Sequence, residues 1–224
     1  MKRVTLESCV TLALVAIVLA GPIGAKNISP ADHSHGSSLP REVPIPSVPK
    51  TVVAVHLVNP DFTVMQLKYR VFFNKAEVKR IPLNDYDFKA AFTDEFMNAL
   101  AEDKRMEWRT QTSDEQIDVP TLLKGKGSPP SVNAERILAV GINEYGAFLA
   151  DLAADKFYVS AQFRLIDRAT GKKLWKKTVF ERIDFDGKIS EMQADNQKGL
   201  KEGINRILEK LCPKIAAEIR RARV

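Results

Sequence analysis

Phe157-Tyr-Val-Ser-Ala-Gln-Phe-Arg-Leu-Ile-Asp-Arg-Ala-Thr-Gly-Lys-Lys-Leu-Trp175 is the stretch that decides the fold. Phe157, Val159, Ala161, Phe163 and Leu165 alternate with Tyr158, Ser160, Gln162 and Arg164. A period of two marks a strand with one dry and one wet face. Asp167-Arg-Ala-Thr-Gly171 then offers turn residues with glycine at the end. Residues 172–184 return as a second strand carrying Leu174, Trp175, Val179 and Phe180. The expected unit is an antiparallel hairpin.

Toward the N-terminus, Arg136-Ile-Leu-Ala-Val-Gly-Ile142 is a short apolar run suited to a central strand buried on both faces. Residues 143–155 read as a loop or crossover with Tyr145, Phe148 and Leu149 partly exposed. The polar segment 111–134 reads as a long surface loop with one short helix near residues 119–123, and residues 106–110 as a short strand. Phe88, Ala91, Phe92, Phe96, Ala99 and Leu100 recur at helical spacing behind the capping residues Asn84, Asp85 and Asp87. From Met65, apolar Leu67, Tyr69, Val71 and Phe73 alternate with Gln66, Lys68 and Arg70, and Thr51 to Val58 is a β-rich run stopped by Asn59-Pro60. Toward the C-terminus, Leu200, Ile204, Ile207, Leu208 and Leu211 form one helical stripe. Pro213 is expected to interrupt it, and a last turn or two carries Ile215, Ala216 and Ile219, with Arg220, Arg221 and Arg223 complementing the helix dipole. The order of elements predicts an α+β fold: a mixed, mostly antiparallel sheet with helices packed on one face, in a single domain over residues 51–224.

The first residues predict an address. Met1-Lys2-Arg3 is basic, residues 9–20 are apolar, and Gly21-Pro-Ile-Gly-Ala25 is small, the order of a secretory signal peptide. The apolar run between Glu7 and Pro22 is shorter than the ~20 residues a membrane span needs. Cleavage is expected near Ala25, with Ala20 as the alternative, leaving a periplasmic or secreted protein that is soluble rather than membrane-spanning. Cys9 sits at the start of the apolar run behind Glu7, an unsuitable place for lipid attachment. Cleavage leaves only Cys212, so no intramolecular disulfide forms, and a buried Cys on the last helix is expected. Residues 26–50, with prolines at 40, 44, 46 and 49, read as a disordered Pro-rich arm. The net charge of +6 points outside the cytoplasm to anionic lipids, glycans or an acidic protein rather than to nucleic acid, or simply to solubility.

Catalytic chemistry is not written in the sequence. No GxSxG, HExxH, CxxC or P-loop pattern occurs. Of the three histidines, His56 falls in a strand, and His33 and His35 fall in the arm. His33 and His35 are weak candidates for a metal, since the arm offers no fixed ligand shell. Asp94-Glu95 reads as a solvated helix face, and Asp184-Phe-Asp-Gly187 as a turn without the later ligands of a calcium loop. No catalytic or cofactor-binding residue is assigned. Lys172, Lys173, Lys176 and Lys177 surround Trp175, and two readings stand: a polyanion site, or the charged flank that protects an edge strand.

The strand that ends in Leu-Ile-Asp167, its Thr170-Gly171 turn and the Leu174-Trp175 strand resemble a unit shared by a group of bacterial envelope proteins. The group comprises lipoprotein activators of penicillin-binding proteins, the curli-secretion lipoprotein and the N-terminal domain of the Tol-system periplasmic protein. Auxiliary lipoproteins of lipid-transport systems have a similar layout. The likeness implies a fold and an envelope setting, and it carries over no functional residue. The resulting expectation is a non-enzymatic accessory protein of the cell envelope. It would bind an envelope protein through a sheet edge or through Tyr145, Phe148, Leu149 and Trp175. A carrier of a lipid or small apolar ligand, held between helices and sheet, is the alternative, and an unrecognised hydrolase is the third reading.

Overall fold

The computed structural model describes residues 50–69, 74–150, 155–185 and 188–222. The expected signal, the arm up to residue 49, His33, His35, Val71 and Phe73 lie outside the described residues. All described residues fall within one compact unit that runs from Pro46.

Seven strands form one sheet: β1 (Lys50–Leu57), β2 (Phe62–Tyr69), β3 (Asn74–Ile81), β4 (Glu107–Thr110), β5 (Arg136–Ala150), β6 (Lys156–Asp167) and β7 (Lys173–Asp184). The helices are α1 (Phe88–Leu100), α2 (Val119–Lys124), α3 (Ile189–Met192) and α4 (Ala194–Arg221). The fold is α+β with a mixed sheet. Its spine is the antiparallel series β5, β6, β7. The β6–β7 turn forms as its residues dictate. The Asp167 carboxylate accepts from the Thr170 amide at 2.8 Å and its hydroxyl at 2.7 Å, and Gly171 takes φ 69°, a left-handed conformation that glycine adopts without strain.

β1 and β2 are two halves of one broken strand. Both run parallel to β5 along the same edge, β1 beside residues 136–142 and β2 beside residues 146–150. The break falls at residues 58–61. Pro60 has no amide to donate, and Asn59 Oδ1 accepts from the Asp61 amide at 3.2 Å. β5 shifts register opposite the break, between Ile142 and Glu144. β4 lies outside β1 and β3 outside β2.

This register shift corrects the sequence reading. Residues 143–150 are not a loop but the second half of β5. The core-facing series Leu138, Val140, Ile142 resumes as Tyr145 and Ala147, one position out of step. A bulge of this kind breaks the period-two pattern while the strand continues. β3 was not legible either, because Lys79 and Arg80 give it the charged composition of a protected edge.

α1 and α4 cover one face. Asp87 caps α1 by accepting from the Ala90 amide at 3.0 Å. Phe88, Phe92 and Phe96 then step down one side of the helix and meet Tyr145 and Phe163 of the sheet. α4 buries Leu200, Ile204, Ile207, Leu208, Leu211, Cys212, Ile215 and Ile219. Pro213 does not interrupt it. The proline sits on the wet face, and α4 runs to Arg221. The irregularity is at the other end, where Asp195, Asn196 and Gln197 are left-handed. There the Gln197 side chain accepts from the Asn84 amide at 2.8 Å and donates to the Pro82 carbonyl at 3.0 Å, tying α4 to the β3–α1 loop.

The opposite face is only half covered. α2 and its flanking loop seal Val52 and Ala54 of β1, Ile137 and Ala139 of β5, and Ile166 of β6 into a second, smaller core. That core ends near Gly141, on which Leu123 rests.

Candidate functional site

Beyond Gly141 the same face of the sheet has no helix on it among the described residues. Register fixes what it presents. β3 contributes Val78, paired to Met65 of β2, which pairs in turn to Phe148 of β5. One row over, Gly146 of β5 pairs to Tyr158 of β6, and Tyr158 to Arg182 of β7. Phe180 lies on β7 opposite Ser160. Val78 is 57% exposed and Phe180 55%. Phe180 stacks on the buried Tyr158 ring at 5.4 Å, with the Arg182 guanidinium 5.5 Å from its centre. Burial raises the Tyr158 phenol well above its ordinary range, and Glu144 adds to the shift. From Val78 to Phe180 the face crosses five strands, about 19 Å across them at the usual strand spacing, and Phe180 lies two rows further along the strand direction.

The four residues singled out in the sequence are not brought together. Tyr145 is no surface anchor. It is 1% exposed, its ring stacks on Phe88 at 3.8 Å, and its hydroxyl donates to the Pro60 carbonyl across the β1–β2 break. Phe148 is half-buried and belongs to the uncovered face. Leu149 points the other way, against the main core. Trp175 is half-buried beside Phe163, 6.4 Å away, on the helix-covered face. Phe180, Val78, Met65 and Arg182 were missed. One clue was available: Val179 and Phe180 are adjacent, so a strand must turn one of them out.

The lysines around Trp175 separate in the same way. Lys177 pairs with Glu218 of α4 at 3.1 Å on the helix face, whereas Lys173 and Lys176 face the α2 side.

The paired carboxylates hold structure. Glu181 of β7 is 7% exposed and lies between Lys210 at 3.0 Å and Lys214 at 2.5 Å. Burial alone would raise its pKa, but hydrogen bonds from the two lysines outweigh it and leave it lowered. Arg109 holds Glu115 at about 2, Arg105 lowers Asp103, and Lys156 lowers Asp184. A lowered folded pKa stabilises the fold above the unfolded value and is lost as pH falls through the folded one. Stability is therefore expected to fall as pH drops from about 4.5 toward 2, with a shallower slope in Glu181→Gln, at a loss of about 1–2 kcal/mol at neutral pH. Urea unfolding at several pH values measures both; a steeper slope in the variant contradicts the assignment.

Cys212 is fully buried on α4, and burial pushes its thiol pKa well above the ordinary value. His56 lies half-buried on β1. Among the described residues, no group of three or more His, Cys, Asp or Glu is placed to hold a metal ion, and no helix is long and apolar enough to cross a membrane. The surface recesses are open. One of about 590 Å³ lies between Pro60 and the loop from Leu83 to Phe88.

No protein-family model and no curated protein matches the chain. Solved structures resemble it in outline. A Xanthomonas campestris protein of family DUF330 shares 9% identity over 76% of this chain and 86% of its own, with a TM-score of 0.48. A hypothetical protein from Chlamydia trachomatis shares 16% over 76% and 95%, with a TM-score of 0.47. A lipoprotein from Neisseria meningitidis shares 14% over 71% and 98%, with a TM-score of 0.36. These values assign the chain neither a family nor a function.

Proposed function

We propose that the protein is a non-enzymatic accessory of the bacterial cell envelope, exported by its N-terminal signal, that works by binding another envelope protein. The observation that carries this reading is the uncovered half of the sheet. Val78, Met65 and Phe148 form an apolar strip across three strands, and Phe180 stands two rows along on β7 beside Arg182, past the Lys156–Asp184 ion pair; large aromatics beside arginine are the usual anchors of protein contacts. A monomer gains nothing by leaving such a strip in water. The resemblance of the Phe157 to Trp175 hairpin to the activator, curli-secretion and Tol group supports the same setting.

A specific observation weighs against the carrier. The space it requires, between helices and sheet, is filled by Phe62, Phe88, Phe92, Phe96, Tyr145, Phe157 and Phe163, all at most 2% exposed. The test is a double substitution, Phe180→Ala with Val78→Ser. Both side chains are mostly in water, so the melting temperature is expected to shift by less than about 3 °C. Capture of the envelope partner is expected to fall at least ~30-fold, as for loss of an interface hot spot. Unchanged capture would remove this face from the interface.

A further inference from the structure

The covered half of the same face carries a second feature. Arg164 of β6 sits directly opposite Lys176 of β7. Like charges in that position repel each other, and no ion pair joins either to a carboxylate among the described residues. Arg164 Nη1 reaches the Leu123 carbonyl at 3.4 Å, and its guanidinium lies over Gly125 at the left-handed end of α2. This contact places Lys124 and Lys126 of the α2 end beside the same strands. Lys126, Arg164 and Gly171 line one small recess of about 30 Å³, and Lys172 follows Gly171 in the β6–β7 turn. Lys173, opposite Ile166, completes the group.

Six cations from three separate segments thus share one end of one face. Edge protection accounts for Lys173 and Lys176 of the edge strand β7. It does not account for Arg164 on an inner strand or for the α2 lysines. Two carboxylates lie close by: Asp167 is occupied by Thr170 within the turn, and Asp118, which Lys124 approaches, accepts from the Thr121 amide as the cap of α2. The five lysines are exposed.

From this cluster we infer that the α2 end of the domain, formed by Lys124, Lys126, Arg164, Lys172, Lys173 and Lys176, docks on an anionic lipid bilayer through the phosphates of its headgroups. Several short elements converging on one end suit a broad, many-phosphate surface better than a single deep anion site, because the recess lined by Lys126, Arg164 and Gly171 is the size of one water molecule. Docked this way, the domain would keep the strip around Phe180, farther along the strands, clear of the bilayer for a partner.

The test uses the protein as recovered from its cells and two kinds of vesicle. One is pure phosphatidylcholine; the other contains roughly one third phosphatidylglycerol. The readout is the ratio of the two binding constants at 0.1 M salt, which cancels any charge-independent contribution of the N-terminal region. A lysine at an anionic bilayer surface is worth roughly five-fold in binding. The triple variant Lys126→Ala, Lys173→Ala, Lys176→Ala is therefore expected to lower the ratio roughly 100-fold. A control that removes the same charge elsewhere, Lys79→Ala, Lys89→Ala, Lys198→Ala, is expected to change it less than about five-fold. The inference is overturned by equal losses in both triples, by no preference of the wild type for anionic vesicles, or by binding that millimolar inorganic phosphate abolishes at constant ionic strength, which would mark a single-anion site.

Discussion

Gly146→Ala is expected to remove more than about 4 kcal/mol of stability, most of the margin of an ordinary domain. A Cβ built on Gly146 lies 1.8 Å from the Thr63 carbonyl oxygen, 2.7 Å from its carbon and 3.0 Å from its nitrogen. All three atoms are backbone of β2, at the first pair of the β2–β5 ladder. No side chain can turn aside to make room. The strands must separate where β2 joins the sheet, and β3, which pairs only with β2, is unmoored with it. Gly141→Ala is the internal comparison. There the nearest atom is Leu123 Cδ1 at 2.3 Å, the free end of a flexible side chain. Its cost is expected to stay below about 1.5 kcal/mol. Urea unfolding of both variants decides the matter. A Gly146→Ala protein within about 1 kcal/mol of wild type would refute the strand arrangement.

Phe157→Ala is expected to cost about 3–5 kcal/mol, the range for deleting a buried aromatic. Phe157 is 1% exposed and joins three parts of the core. Its ring meets Phe62 of β2 at 6.1 Å and Phe185, after β7, at 4.5 Å, and α4 passes over it at Gly203. The Gly203 contact makes the prediction sharper. A Cβ at Gly203 would lie 2.2 Å from Phe157 Cε2. Gly203→Ala alone gains about 1 kcal/mol of helix propensity and loses about 1–3 to overpacking. In the Phe157→Ala background the overpacking disappears, so the same alanine is expected to stabilise. The change of sign in a double-mutant cycle identifies the contact. Identical effects in both backgrounds would mean that α4 does not cross the sheet there.

The elements legible in the sequence are those whose pattern stays in phase. The β6–β7 hairpin alternates cleanly from Phe157 to Leu165 and then shows its turn residues, so the register shift beside Ile166 does not hide it, and α1 and α4 show clean helical stripes. The losses have local physical causes. The bulge after Ile142 puts Tyr145 and Ala147 out of step, so a long strand read as a strand and a loop. Pro213 read as a breaker because composition does not reveal that it faces water on a helix held by its buried stripe. The candidate site suffered most, because a site on a sheet face is assembled by register. Val78, Met65, Phe148 and Phe180 come from four strands, and nothing in any one of them announces the others. The reading of Tyr145 as an anchor failed for the same reason that residues 143–150 failed as a loop.

The most direct test of the account places a photo-crosslinking amino acid at position 180, at position 78 and, as a control on the helix side, at position 94, in intact cells. The expected result is one shared envelope-protein adduct from positions 180 and 78, with none from position 94. The same adduct from position 94 alone, or from all three positions equally, would contradict the claim that the uncovered half of the sheet is the working surface.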